Sequence, residues 1–262
     1  VSNGAVYAGG SFFYAGGLSA ANIARWDGSA WSSLPGGSWK GLNGPVNAFA
    51  AAGSDLYVGG TFNNYPCINS IGKFNGTSWS DVWCGFNAGT VNAIAVVGDT
   101  IYIGGSGLYV GGGATFGLIR WDPSLGWSNY TGPKIYDGGV YALAIVGNDL
   151  YAGGTFGWPN PVSNIARWDG TSWSALGTGI GAGDQVRALA SLGTVLYVGG
   201  YFSSAGGVSV NNIAKWDGTT WSSVGDSSGA NGEVTVLAPS GGTLYAGGLF
   251  TSIGGTSANR IA

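Results

Sequence analysis

LYVGGTF occupies residues 56–62, and near-copies punctuate the chain: IYIGGSG at 101–107, LYAGGTF at 150–156, LYVGGYF at 196–202 and LYAGGLF at 244–250. The tyrosine of this Tyr-x-Gly-Gly signature falls at Tyr7, Tyr57, Tyr102, Tyr151, Tyr197 and Tyr245, at gaps of 50, 45, 49, 46 and 48 residues. A second signature follows it: NIARWDGSAW (22–31), SIGKFNGTSW (70–79), GLIRWDPSLGW (117–127), NIARWDGTSW (164–173) and NIAKWDGTTW (212–221). A third precedes it: VNAFAAAG (46–53), VNAIAVVG (91–98), VYALAIVG (140–147) and VRALASLG (186–193). One unit is therefore written over and over, and a fixed period of this length marks a repeat architecture.

Within a unit the hydrophobic period is two, in short runs rich in β-branched and aromatic residues separated by turn dipeptides. Four strands per unit are expected: a (VNAIAVV), b (TIYIGG), c (NIARW) and d (SWSAL). Four short strands every 45–50 residues is the arithmetic of a β-propeller blade. Strand a is expected innermost, where its paired alanines (Ala48 and Ala50, Ala93 and Ala95, Ala142 and Ala144, Ala188 and Ala190) relieve crowding. The glycine doublet has no side chains, so neighbouring backbone or a large aromatic can approach closely there. Trp31, Trp79, Trp127, Trp173 and Trp221 on strand d are the expected occupants. The fold class is thus all-β, a propeller of four-stranded antiparallel blades. Six blades are expected (seven being the alternative), with the first and last incomplete. They form one domain over 1–262, with units starting near 1, 46, 91, 140, 186 and 234. On this reading the natural chain continues past both ends of the sequence.

Composition agrees with a folded all-β chain. Glycine is 53 of 262 residues, aromatics are 13% and charged residues only 8%, the reverse of a disordered balance. A net charge of −3 with no basic run argues against nucleic acid. No apolar stretch approaches the length of a membrane-spanning helix.

The glycine doublet on strand b, the aromatic–acid pair on strand c and the tryptophan of strand d together resemble the kelch-type β-propeller repeat. The variant LYVGGTF…NIARWDGTSWSALG looks closest to repeats of large secreted bacterial surface proteins and fungal cortical-marker proteins. The resemblance implies a propeller used for binding, secreted or held at the cell surface. Only some relatives, such as the galactose oxidase type, are enzymes. That type's copper site needs histidine ligands, and this chain has no histidine.

The same absence excludes a Ser-His-Asp triad, a Cys-His pair and a His-ligated zinc. No cofactor, no metal and no catalytic residue is expected. The charges mostly follow the repeat. Arg25, Lys73, Arg120, Arg167, Lys215 and Arg260 are assigned to one strand-c position; Asp27, Asp122, Asp169 and Asp217 follow the strand-c tryptophan; Asp55, Asp99 and Asp149 sit in a–b turns. Asp226 and Glu233 share a loop and are the one pair of carboxylates that could serve a glycan-active enzyme, the least favoured reading.

Two further features point outward. Cys67 and Cys84 fall on the same side of one blade, where a disulfide closing 17 residues is expected and would favour an oxidising compartment. Asn75 (N-G-T) and Asn129 (N-Y-T) are possible glycosylation acceptors. The a–b and c–d turns are short and repetitive, while the b–c and d–a loops vary, as binding loops on a rigid scaffold do. On that variable side lie three tryptophans outside the repeat, Trp39, Trp83 and Trp158, with Tyr14, Tyr65 and Tyr136. These six are the candidate ligand-binding residues. Exposed aromatics with few charges suit a protein partner, a neighbouring copy at a cell surface, or a sugar ring. The expectation is a non-catalytic binding or adhesion module, with a carbohydrate-binding module as the alternative and neither nucleic acid nor membrane insertion involved.

Overall fold

A computed structural model describes residues 4–35, 41–64, 68–82, 86–87, 89–110, 116–128, 138–157, 163–181, 183–225 and 228–262. These residues are all strand, turn and loop, with no helix among them. They divide into two compact units, Val1–Asn129 and Tyr130–Ala262.

Each unit carries three repeats, and each repeat is an antiparallel sheet in the chain order a-b-c-d. In the first unit, sheet 1 has b, c and d (Val6–Gly9, Ile23–Trp26, Trp31–Ser33). Sheet 2 has all four strands, Val46–Ala52, Asp55–Asn64, Ile68–Phe74 and Trp79–Asp81. Sheet 3 runs Thr90–Val97, Thr100–Val110, Phe116–Asp122 and Gly126–Ser128, and Phe86–Asn87 pairs with the far end of its b strand. In the second unit, sheet 4 is Gly139–Val146, Asp149–Gly157, Ser163–Trp168 and Trp173–Ser174. Sheet 5 is Gln185–Leu192, Val195–Tyr201, Ile213–Trp216 and Trp221–Ser223. Sheet 6 pairs Val234–Ser240 with Thr243–Gly248, and Gly247 bridges to Ile261. The strand pattern read from the period of two is thus the one observed.

The glycine doublet does two separate jobs. Every a strand carries a bulge just after its leading valine, and the register shifts between Val46 and Ala48, Val91 and Ala93, Val140 and Ala142, Val186 and Ala188, and Val234 and Val236. The second glycine lies against the backbone at that bulge. A Cβ on Gly60 would come 2.0 Å from the Pro45 carbonyl oxygen, and one on Gly200 would come 2.0 Å from that of Gln185. The first glycine faces the next sheet of its unit. A Cβ on Gly59 would lie 2.3 Å from Val91 Cγ1, one on Gly153 2.4 Å from Val186 Cγ1, and one on Gly199 2.7 Å from Val234 Cγ1. Val46, Val91, Val186 and Val234 are therefore knobs, each seated in the first glycine of the preceding sheet of its unit.

The strand-d tryptophans are not the occupants of that seat, contrary to the expectation. They pack on the aromatic of their own c strand, with ring centroids 5.4 Å apart for Trp26–Trp31, 5.1 Å for Phe74–Trp79, 5.6 Å for Trp168–Trp173 and 5.4 Å for Trp216–Trp221. Trp221 also donates its indole N–H to the Leu176 carbonyl of the preceding sheet at 2.7 Å, and Trp79 does the same to Pro35. The valine is the better fit for the seat because an a strand, not a d strand, abuts the neighbouring b strand.

Seating produces one apolar seam in each of the four sheet pairs within the units. Ile23 lies with Val46, Leu56 and Val58 in one buried cluster, and Ile71 with Val91, Ile101 and Ile103 in another. In the second unit Ile165 lies with Val186, Leu196 and Val198, and Ile213 with Val234, Leu237 and Ala246. The rule is constant within each unit: the strand-c isoleucine of one sheet meets strands a and b of the next.

Candidate functional site

The b–c and d–a connections emerge at one end of each sheet, and a buried asparagine ties them together. The residue before the strand-c isoleucine has a left-handed backbone: Asn22 (φ 62°), Ser70 (57°), Asn164 (65°), Asn212 (61°) and Arg260 (67°). Asparagine tolerates this region better than most residues. Asn164 Oδ1 accepts from the Phe156 backbone N–H at 3.1 Å, and its Nδ2 donates to the Gly181 carbonyl at 2.8 Å. Asn22 links Phe12 to Leu42 in the same way, and Asn212 links Phe202 to Ala230. Ser70 keeps the second half of the link, donating to the Gly89 carbonyl at 2.8 Å. This places Arg260 at the clamp position and not, as expected from its charge, in line with Arg25 and Lys73. Gly247 pairs with Ile261 as Gly199 does with Ile213, so Arg260 stands at the position of Asn212, three residues before that of Lys215.

The b–c connections are also less varied than expected. In sheets 1, 5 and 6 they form one small hairpin, Tyr14–Ala15 with Leu18–Ser19, Ser204–Ala205 with Val208–Ser209, and Ser252–Ile253 with Thr256–Ser257. Both turn residues have positive φ (Gly16 56° and Gly17 80°, for example), the two-residue turn that matches strand twist. Trp31 and Trp221 lie directly beneath Gly16 and Gly206, where a Cβ would come 2.6 and 2.1 Å from the indole. The first hairpin carries the most apolar tip, with Phe13 70% and Tyr14 71% exposed. Phe13 borders a cavity of about 310 Å³ with Ala21, Asn22, Leu42 and Asn43.

Of the residues singled out from the sequence, Tyr14 is on this exposed hairpin. Asn75 is exposed in the c–d turn of sheet 2, where its Oδ1 accepts from the backbone N–H of Thr77 and Ser78 at 3.0 and 2.8 Å. Trp39, Trp83, Trp158, Tyr65, Tyr136, Cys67, Cys84 and Asn129 lie outside the described residues. So does Asp226, while Glu233 forms an ion pair with Arg187 Nε at 3.0 Å, and that guanidinium sits 4.8 Å above the Tyr141 ring.

At the opposite end the repeat charges serve the sheets. Lys73 pairs with Asp55 at 3.1 Å and Arg167 with Asp149 at 2.8 Å, each joining strand c to its own a–b turn. The strand-c aspartates cap the c–d turn: Asp169 Oδ1 accepts from the N–H groups of Thr171 and Ser172 at 2.8 and 2.7 Å, and Asp27 and Asp217 do the same. Those backbone bonds hold Asp27 down at about 2 and depress Asp169 and Asp217 as well. In Asp122 the Ser124 hydroxyl leads the same effect.

One acid breaks the pattern. Asp99 precedes strand b by one residue more than Asp55 and Asp149 do, since the turn reads Gly-Asp-Thr instead of Gly-Ser-Asp or Gly-Asn-Asp. Arg120 accordingly pairs with Asp122 at 2.9 Å, and Asp99 has no ion pair among the described residues. It lines a cavity of about 520 Å³ with Asp55, Tyr57, Val96, Trp121 and Pro123, between the turns of sheets 2 and 3. Burial, then the nearby carboxylates, push the Tyr57 phenol upward against the opposing pull of Lys73. This cavity at the turn end is larger than the one beside Phe13. Among the described residues no three acidic, histidine or cysteine side chains gather as a metal site would require.

No family model matches this chain, and no curated protein sequence does. Solved structures do match. One is the crystal structure of the extracellular domain of a hybrid two-component system from B. thetaiotaomicron, with a TM-score of 0.56 and 14% identity over 87% of this chain. The match spans 29% of that protein's chain, and at this identity the likeness is one of fold.

Proposed function

We propose that the chain is a kelch-like propeller domain of a secreted or surface protein, six blades with the first and last incomplete, that binds its partner without catalysis through the b–c and d–a loop end. The observation that carries this reading is the pair Phe13 and Tyr14, about seven-tenths exposed on a hairpin whose base is clamped by Asn22 and Trp31. Large aromatics held on a rigid base are what a binding face needs, because little side-chain entropy remains to be lost on contact. The extracellular setting of the fold neighbour is in keeping with it. A protein partner or a neighbouring copy is the favoured ligand. Mass spectrometry of proteins retained by the wild type and by F13A/Y14A, run beside a glycan array, tests the reading. Retention that is unchanged in the double variant removes it.

A carbohydrate ligand is the second reading, favoured by the turn-end cavity. Asp99, which has no ion pair among the described residues, and the Tyr57 hydroxyl offer the acceptor and donor that a sugar uses, in a cavity that the buried Trp121 also lines. Glycan binding lost in D99N and Y57F but kept in F13A/Y14A would establish it.

A further inference from the structure

The bulge of each a strand turns one residue out of the register: Asn47, Asn92, Tyr141, Arg187 and Thr235. Bulges re-aim side chains, and this one lies at the loop end of its sheet. In sheets 2 and 6 the re-aimed side chain is taken up by backbone: Asn47 Nδ2 donates to the Val91 carbonyl at 3.1 Å, and the Thr235 hydroxyl to the Gly247 carbonyl at 3.3 Å. In sheets 4 and 5 the bulge residues meet each other, the Arg187 guanidinium 4.8 Å above the Tyr141 ring. The Tyr141 hydroxyl accepts from the Thr155 hydroxyl at 2.9 Å, and Arg187 Nε donates to Glu233 Oε1 at 3.0 Å. Arg187 is thus held from two sides, while its two outer nitrogens and Glu233 Oε2 make no other hydrogen bond among the described residues. A second departure from the repeat lies on the same strand ends. Serine or threonine follows the glycine doublet in sheets 1 to 4 (Ser11, Thr61, Ser106, Thr155), but sheet 5 has Tyr201, 61% exposed and opposite Gln185 in the strand pair. Sheet 5 has a buried seam with sheet 4 on one side and with sheet 6 on the other, so this exposure belongs to the position and not to a bare sheet face.

We propose that Tyr201, Arg187 and Glu233 form a subsite for a neutral saccharide, held through two adjacent hydroxyls and one face of the sugar ring. A guanidinium edge offers only donors and a carboxylate oxygen only acceptor lone pairs, so of two neighbouring hydroxyls one accepts from Arg187 and the other donates to Glu233. The charges of the pair cancel, and a ligand group of either sign would face a like charge at this spot. The exposed Tyr201 ring offers its apolar face to the C–H groups of the sugar. Because Tyr141 and Glu233 already hold the guanidinium, little side-chain freedom remains to be lost on binding. The subsite belongs to the second unit and uses no residue of the Phe13 hairpin or of the turn-end cavity, so it goes beyond both readings given above.

The test passes the full chain over a glycan array and titrates the best-retained glycan by calorimetry as the free sugar. Wild type is expected to retain neutral glycans that carry a free vicinal diol. Y201A and R187M, both checked for unchanged circular dichroism and melting, are each expected to bind at least about tenfold more weakly. Y201F, which keeps the ring, should bind like the wild type, whereas R187K, which keeps the charge without the fork, should not. Tyr201 is exposed, so the Y201A and Y201F comparison stands even where R187M fails to fold. D99N, Y57F and F13A/Y14A should leave the affinity unchanged. A wild type that retains no neutral glycan overturns the proposal, whatever protein it retains. So does binding that survives Y201A and R187M. Binding lost in D99N and Y57F would overturn it in favour of the turn-end cavity, and binding lost in F13A/Y14A in favour of the first hairpin.

Discussion

The valine seat makes a quantitative prediction at Gly153. In Gly153→Ala the new methyl would sit 2.4 Å from Val186 Cγ1 and 3.3 Å from Leu189 Cδ1, both in the buried seam between sheets 4 and 5. Overpacking of this kind costs about 1–3 kcal/mol. The backbone of Gly153 is not left-handed, so the loss of glycine's freedom in the unfolded chain returns about 0.4–1 kcal/mol. The net expectation is destabilisation by about 1–2 kcal/mol. Val186→Ala alone opens the seat and costs about 2 kcal/mol in lost burial. Combined, G153A/V186A should cost clearly less than the sum, with a coupling of at least about 1 kcal/mol, because the alanine methyl occupies space that the valine vacates. Gly154→Ala is the control: its methyl would lie 1.9 Å from the Gly139 carbonyl oxygen, which no side-chain change can move, so V186A should not rescue it. Urea unfolding followed by tryptophan fluorescence measures the wild type, G153A, V186A, G154A and the two double variants. A neutral G153A, or strict additivity in the double variant, would refute the seat.

Other expectations rest on separate features. Asn164→Ala should destabilise by about 2–4 kcal/mol, since it strands the buried Phe156 N–H and the part-buried Gly181 carbonyl and forces alanine into a left-handed conformation; Asn164→Gly should cost about 1 kcal/mol less, as urea midpoints will show. Asp27, Asp122, Asp169 and Asp217 have folded pKa values below their unfolded ones, so the unfolded chain binds more protons and stability falls as pH drops from about 4 through the folded values, near 2 for Asp27. Replacing all four by asparagine, the residue that sheet 2 already has as Asn75, should flatten that slope in acid titrations followed by circular dichroism. Cys67 and Cys84 are proposed to be bonded to each other, and non-reducing peptide mapping should recover a linked pair; recovery of two alkylated thiols would dismiss it.

The strands were legible in the sequence because hydrophobic alternation and turn dipeptides act locally, and five near-copies repeat the message. The doublet was readable as a site of close approach by backbone or an aromatic, and backbone does lie against its second glycine, but the valine at the first was not foreseen. Whether a valine or a tryptophan enters depends on which strand abuts the next sheet, and nothing local to Tyr-x-Gly-Gly records that. The clamp was written in the sequence at Asn22, Asn164 and Asn212, but Asn-Ile-Ala reads as the start of a strand until the left-handed φ is known. Arg260 misled for the same reason: its charge matched the strand-c cations, and only the Gly247–Ile261 bridge fixes its place. The one-residue offset of Asp99 was visible in Gly-Asp-Thr, yet its consequence, an acid released from its arginine beside a cavity, needed the pairing of Arg120 with Asp122.

The central claim is that partners are held at the loop end, and footprinting of the bound state tests it most directly. The chain is labelled by a carbene reagent alone and again with the ligand that the array or the retained-protein screen returns, and modified residues are mapped by mass spectrometry. Protection at Phe13 and Tyr14, with Tyr57 and Pro123 at the turn end labelled as before, is the predicted result. Protection confined to Tyr57 and Pro123, with Phe13 and Tyr14 still fully labelled, would contradict it.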